Sequence, residues 1–248
     1  MELPRDVREV CDAFTAGLRG LLGETLHAIY LYGAVVFPET TSTGDLDLHV
    51  IVRDAPTAAQ RRAIERLHEE LVRRYPETTG SDLDAYYILL ADAGRSTPPV
   101  HQLRTDIVDD AWALHRAHML AGRCVVLHGP EPGAIFPPPT WTEIEAALAG
   151  EWAYVEEHVD QYPDYCVLNA CRLVYSHRTG DVVTSKAAAA AWAKAHYPAW
   201  ETLIDRAVRS YAGRATDEDR AAMRRELPDY LAFAQREIRR GRDETQRA

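Results

Sequence analysis

Long apolar runs are missing from this 248-residue chain. No stretch approaches the roughly 18 apolar residues of a membrane-crossing helix. The opening MELPRDVREV has no apolar signal core. No membrane partner is expected, and a cytoplasmic location is. Cysteine is scarce as well. Cys11, Cys124, Cys166 and Cys171 are scattered without a C-x-x-C pair, which argues against a zinc cluster and, at this length, against a disulfide scaffold. Positive charge is in deficit: 28 Lys and Arg face 38 Asp and Glu, for a net charge of −10. Most of such a surface repels nucleic acid and attracts cations, so no nucleic-acid partner is expected. Hydrophobic residues make up 46%, enough for an ordinary globular core of one large domain or two modest ones.

Periodicity supplies the elements. Val7, Val10, Cys11, Phe14, Leu18 and Leu21 recur every three or four residues, so about 5–22 reads as an amphipathic helix. AIYLYG reads as a strand ending at Gly33, and DLDLHVIV as a second strand. Pro56 and Thr57 start a helix that Pro76 stops, and LDAYYILLA is a third strand. Residues ~106–121 read as helical, and CVVLHGP as a short strand and turn. The proline run in PGAIFPPPTW suits a linker. Thr140 and Glu143 make a capping box. Helical stretches follow near 164–178, 185–196, 199–212 and 217–240. The expected fold is α/β plus all-α: a mixed-sheet domain over 1–137, then an all-helical domain over 138–248.

One stretch poses a chemical question. LYGAVVFPETTSTGDLDLHV carries Asp45 and Asp47 on a strand that is otherwise apolar. Side chains two apart on a strand share a face, about 6–7 Å apart, and like charges held so close repel. A cation between them removes the repulsion. Magnesium takes carboxylate oxygens together with phosphate and water, and paired metal ions clamp the attacking and leaving oxygens of a phosphoryl transfer. Asp84 opens the apolar run of the third strand, where it would be a third metal ligand and the general base. Gly33, after the first strand, would let the backbone approach a triphosphate. The plainer alternative is that TSTGDLD is a turn ending in exposed acids.

LYGA…GDLDLHVIV, with an acid on the next strand, resembles the DNA polymerase β-like nucleotidyltransferases, whose pattern is Gly-Ser or Gly-Gly followed by D-x-D. The resemblance implies nucleotide contacts from Gly33, Ala34, Thr43 and Gly44. Ala34 stands where the family has serine, leaving Ser42 or Thr43 to supply the hydroxyl. A second stretch, YCVLNACRLVYSHRTGDVVTSKAAAAAWAKAHYP, resembles the C-terminal helical domain of the spectinomycin/streptomycin-type aminoglycoside adenylyltransferases. The matching positions are Arg172, Thr179–Gly180, Lys186 and Trp192–Ala193, and VVLHGPEP resembles the family's L-x-G-P turn. This implies that Arg172 and Lys186 bind ATP phosphates across an interdomain cleft. It also implies that the loop with Tyr162, Asp164 and Tyr165 meets the acceptor, where Asp164 would bind a cation. The segment between Asp84 and VVLHGP is shorter than in those enzymes and lacks an acceptor-contacting tryptophan.

The leading expectation is a Mg2+-dependent adenylyltransferase. It would move AMP from ATP to a hydroxyl of a small cationic acceptor such as an aminoglycoside antibiotic, and so confer resistance. Asp45, Asp47 and Asp84 would be the metal ligands. The alternatives are a toxin–antitoxin-type nucleotidyltransferase acting on protein or RNA, and a non-catalytic nucleotide-binding protein. His115 and His118, three apart on a helix, are a metal pair or simply half-exposed. His49 shares the face of Asp45 and Asp47 and either supports them or packs. Asp109 and Asp110 lie where the resemblance puts an aspartate near the nucleotide. Trp152, Trp192 and Trp200 read as core.

Overall fold

The computed structural model describes residues 3–39, 46–79, 83–101, 106–108 and 111–245. It divides into two compact units, Met1–Ile144 and Glu145–Ala248.

The first unit opens with α1 (Arg5–Leu22), whose Val7, Val10, Cys11, Phe14, Leu18 and Leu22 are all buried. Next come β1 (Leu26–Tyr32), β2 (Asp47–Val52), α2 (Ala58–Arg74), the single turn α3 (Pro76–Thr79) and β3 (Asp84–Leu89). Thr57 caps α2: its hydroxyl accepts from the Gln60 N–H while the Gln60 side chain reaches back. After β3 come β4 (Pro99–His101), β5 (Asp106–Val108), α4 (Trp112–Leu120) and β6 (Val125–His128). The sheet order is β5-β4-β3-β2-β1-β6. β2 and β3 run parallel, which the intervening α2 makes possible.

Strand alternation sorts the side chains onto two faces. Ile29, Leu31, Leu48, Val50, Val52 and Tyr87 join one cluster with Val7, Val10, Phe14, Leu18, Ile64 and Leu71 from α1 and α2. Ala28, Tyr30, Tyr32, Ile51 and Ile88 join another with Trp112, Met119 and Phe136. The sheet is thus sandwiched, and full burial of each large apolar side chain stabilises the fold by about 2 kcal/mol. Arg116, on α4, is fully buried. It donates to the Pro137 carbonyl at 3.2 Å and to Glu143 Oε1 at 2.6 Å. Glu143 Oε2 accepts from the Thr140 N–H at 2.8 Å, so the expected capping box forms and also ties down the proline-rich segment.

The second unit holds most of α5 (Trp141–Glu157), then α6 (Pro163–Thr179), α7 (Lys186–His196), α8 (Glu201–Tyr211) and α9 (Asp217–Thr245). α6 is its centre. It packs on α7, α8 and α9 and buries Cys166–Cys171, Leu173, Val174, Ser176 and His177. A left-handed Gly180, at φ 74°, ends it. α9 meets α6 closely at Gly241, where a Cβ would lie 2.3 Å from the His177 carbonyl oxygen. The fold class is as the sequence implies: a mixed-sheet domain followed by helices.

Two local expectations need correction. Residues ~106–121 are not one helix: Asp106–Val108 pairs antiparallel with β4, and α4 starts at Trp112. Backbone pairing along the sheet edge outweighs the helical period there. Asp164 and Tyr165 lie within the first turn of α6, not in a loop before it. Pro163, with φ preset and no N–H to lose, starts that helix. Trp152, Trp192 and Trp200 are half-buried, while Trp112 is fully buried and donates to the Ala93 carbonyl at 2.9 Å.

Candidate active site

In the first unit the site is built on strand ends. Asp47 is the first residue of β2 and Asp84 the first of β3, and the two are register partners. Neighbouring strands lie about 4.8 Å apart, so the two half-buried carboxylates sit side by side on one face. On the other side of β2, Asp47 is registered with Tyr32, the last residue of β1. The chain then turns at Gly33, at φ +79°, where a Cβ would lie 1.7 Å from Asp47 Oδ2. No other residue type fits there. Ala34 begins a short 3-10 turn. Asp45, Thr43 and Gly44, and also Asp109 and Asp110, lie outside the described residues.

Next to the carboxylates is a cluster that spacing does not reveal. His49, two residues beyond Asp47 and fully buried, has its Nε2 3.1 Å from His115 Nδ1. Its ring stacks on Tyr32 at 4.3 Å and meets Trp112 edge-on at 4.8 Å. His115 thus pairs with His49, and His118 packs edge-on against Phe37 at 5.6 Å. His49 and His115 are 66 residues apart, and only the strand period of His49 hints at the contact. Among the described residues, no group of three or more His, Cys, Asp or Glu forms a metal centre. Asp47 and Asp84 still offer oxygen donors side by side, the donor type that Mg2+ takes.

In the second unit, Lys186 is the first residue of α7, after the N-cap Ser185. Its ammonium lies 4.3 Å from the Tyr165 ring centroid and 4.8 Å from that of Tyr211. It also donates to the Tyr211 hydroxyl at 3.1 Å. Arg172 lies two turns beyond Tyr165 on α6. Burial pushes the Tyr165 phenol well up, Glu151 adds to this, and the positive charge of Arg172 opposes it. Glu151 accepts from Asn169 Nδ2 at 2.8 Å. Asp164 Oδ1 accepts from the backbone N–H of Tyr165 at 2.9 Å. The sequence reading names Arg172, Lys186, Asp164 and Tyr165; Tyr211 and Glu151, their neighbours on other helices, carry no motif and are not named.

Residues 135–237 match the family model described as "Aminoglycoside adenylyltransferase, C-terminal domain". No curated protein matches the chain. Among solved structures, the chain is similar to the spectinomycin adenyltransferase AAD(9) from Enterococcus faecialis, crystallised with ATP and spectinomycin. The TM-score is 0.72 at 16% identity, covering 91% of this chain and 99% of that one.

Proposed function

We propose that this aminoglycoside adenylyltransferase-like chain, a nucleotidyltransferase, transfers AMP from ATP to a hydroxyl of a small cationic acceptor. The observation that carries the reading is the registration of Asp47 with Asp84 beside Gly33. Two carboxylates aligned at strand ends, against a glycine with no room for a Cβ, suit a phosphate and metal site better than a solvated turn.

The chemistry follows from those residues. Asp84 takes the proton of the acceptor hydroxyl. The freed oxygen attacks the α-phosphorus, and the bond to the β,γ-diphosphate breaks, releasing pyrophosphate. Asp47, Asp84 and Asp45 would hold Mg2+, which when bound neutralises charge on the phosphate oxygens. Gly33 and Ala34 would lie against the nucleotide's phosphates, and the same role is proposed for Thr43 and Gly44. Lys186 and Arg172 offset the charge of the triphosphate and of the departing pyrophosphate. Asp164, with Tyr165 next to it, faces the acceptor and favours a positively charged one. Spectinomycin sits with ATP in the AAD(9) crystal, so an aminoglycoside or aminocyclitol antibiotic is the first candidate. No described helix is long and apolar enough to cross a membrane, and an ATP-consuming enzyme of this kind works in the cytoplasm.

The test incubates the protein with labelled ATP, Mg2+ and separate pools of aminoglycosides, RNA and protein. Label on an aminoglycoside, with pyrophosphate released in equal amount, supports the reading. Label on RNA or protein alone points to the toxin–antitoxin type, and ATP binding without transfer points to a non-catalytic protein.

A further inference from the structure

Lys186 raises a problem that its surroundings solve. It is the first residue of an 11-residue helix, where the helix dipole disfavours a cation. Its side chain is long and flexible, so a fixed position has to come from neighbours. Two aromatic faces supply it. Tyr165 lies 4.3 Å from the ammonium and Tyr211 4.8 Å, and the Tyr211 hydroxyl accepts a hydrogen bond at 3.1 Å. Both distances are well inside the roughly 6 Å reach of a cation–π contact.

From this geometry we infer that Tyr165 is a positioning residue: its ring face, with that of Tyr211, holds the Lys186 ammonium in place for the nucleotide's phosphates. The inference rests on the assignment of Lys186 to ATP in the proposed function. It gives Tyr165 a role distinct from acceptor contact, because it uses the ring and not the hydroxyl.

The chain makes the test clean, because it has two lysines, Lys186 and Lys194. Lys194 is ion-paired to Asp205 at 2.7 Å and serves as the internal reference. Intact protein is acylated with a trace amine reagent, and labelling at each lysine is read by mass spectrometry. KM for ATP is measured alongside. Tyr165→Phe keeps the ring face, whereas Tyr165→Leu keeps bulk and loses it. The expected result for Tyr165→Leu is faster labelling of Lys186 relative to Lys194 and an ATP KM raised about tenfold. Tyr165→Phe should stay within about twofold of the unmodified protein on both readouts. Equal behaviour of Phe and Leu overturns the inference. The underlying assignment is checked separately: saturating MgATP should protect Lys186 of the unmodified protein from the reagent. If ATP gives no protection, the assignment of Lys186 to the nucleotide fails, and the role of Tyr165 goes with it.

Discussion

Asp47 and Asp84 reach their places through the backbone, whereas Lys186 reaches its place through other side chains. Each aspartate is one methylene from a strand whose partner is fixed by ladder hydrogen bonds, and the register Asp47↔Asp84 sets their separation. Lys186 has four methylenes, and its ammonium is fixed by Tyr165 and Tyr211 from two other helices. The strand-end group should therefore tolerate changes around it and fail when its own atoms change. The helical group should respond to changes in its neighbours.

The largest effect is expected at Asp47. Asp47→Asn keeps the shape and removes one negative charge, so transfer should fall on the order of 10³-fold with the circular dichroism spectrum unchanged. A turnover rate near that of the unmodified protein at saturating Mg2+ would end the metal assignment. It would also dissolve the contrast between the two groups.

Gly33→Ala attacks the same group through the backbone. The new Cβ would occupy the place of Asp47 Oδ2, and φ is +79°. The expected cost is about 1–3 kcal/mol in stability, read by urea unfolding, together with a large drop in turnover. A variant that unfolds like the original would mean that this turn is adjustable and that register alone does not fix Asp47.

Lys186→Ala should act more narrowly. Loss of one charge-assisted contact should weaken ATP binding about tenfold and AMP binding less, because a point charge favours the more highly charged end of the nucleotide. Isothermal titration with both ligands measures the two losses. Equal losses would place Lys186 away from the β,γ-phosphates.

The contrast between the groups also explains what the sequence could reveal. Asp47 and Asp84 were legible because the period of a strand and the start of an apolar run fix where a short side chain points. Gly33 was legible as the residue after a strand, although the reason for it, the carboxylate against its Cα, lies 14 residues downstream. His49 could be placed on the right face but its partner could not, since His115 comes from a helix whose packing on the sheet no local pattern encodes. Tyr211 and Glu151 were missed for the same reason. The strand at 106–108 was missed because three residues are too few for a period to show.

The smallest effect tests whether the helical unit, being held by side chains, is also the more sensitive to their ionisation. His177 lies on the central helix α6, buried against α9 near Gly241. Burial first, and the positive charge of Arg242 second, lower its pKa from 6.5 to about 4. The unfolded chain then takes up this proton at higher pH than the folded one does. Its contribution is fully present above about pH 6.5 and is lost as pH falls toward about 4. His27 on β1 is shifted in the same direction, first by burial and then by Arg53 and His128, but it remains half-exposed. The measurement is the midpoint of thermal unfolding at steps between pH 7.5 and pH 5, for the unmodified protein and for His177→Asn and His27→Asn. His177→Asn is expected to unfold earlier at every pH yet to show a shallower decline with acid, whereas His27→Asn should leave the slope almost as it is. A slope unchanged in His177→Asn would show that the core of the helical unit accepts the imidazolium, and the greater sensitivity of that unit would then have to be abandoned.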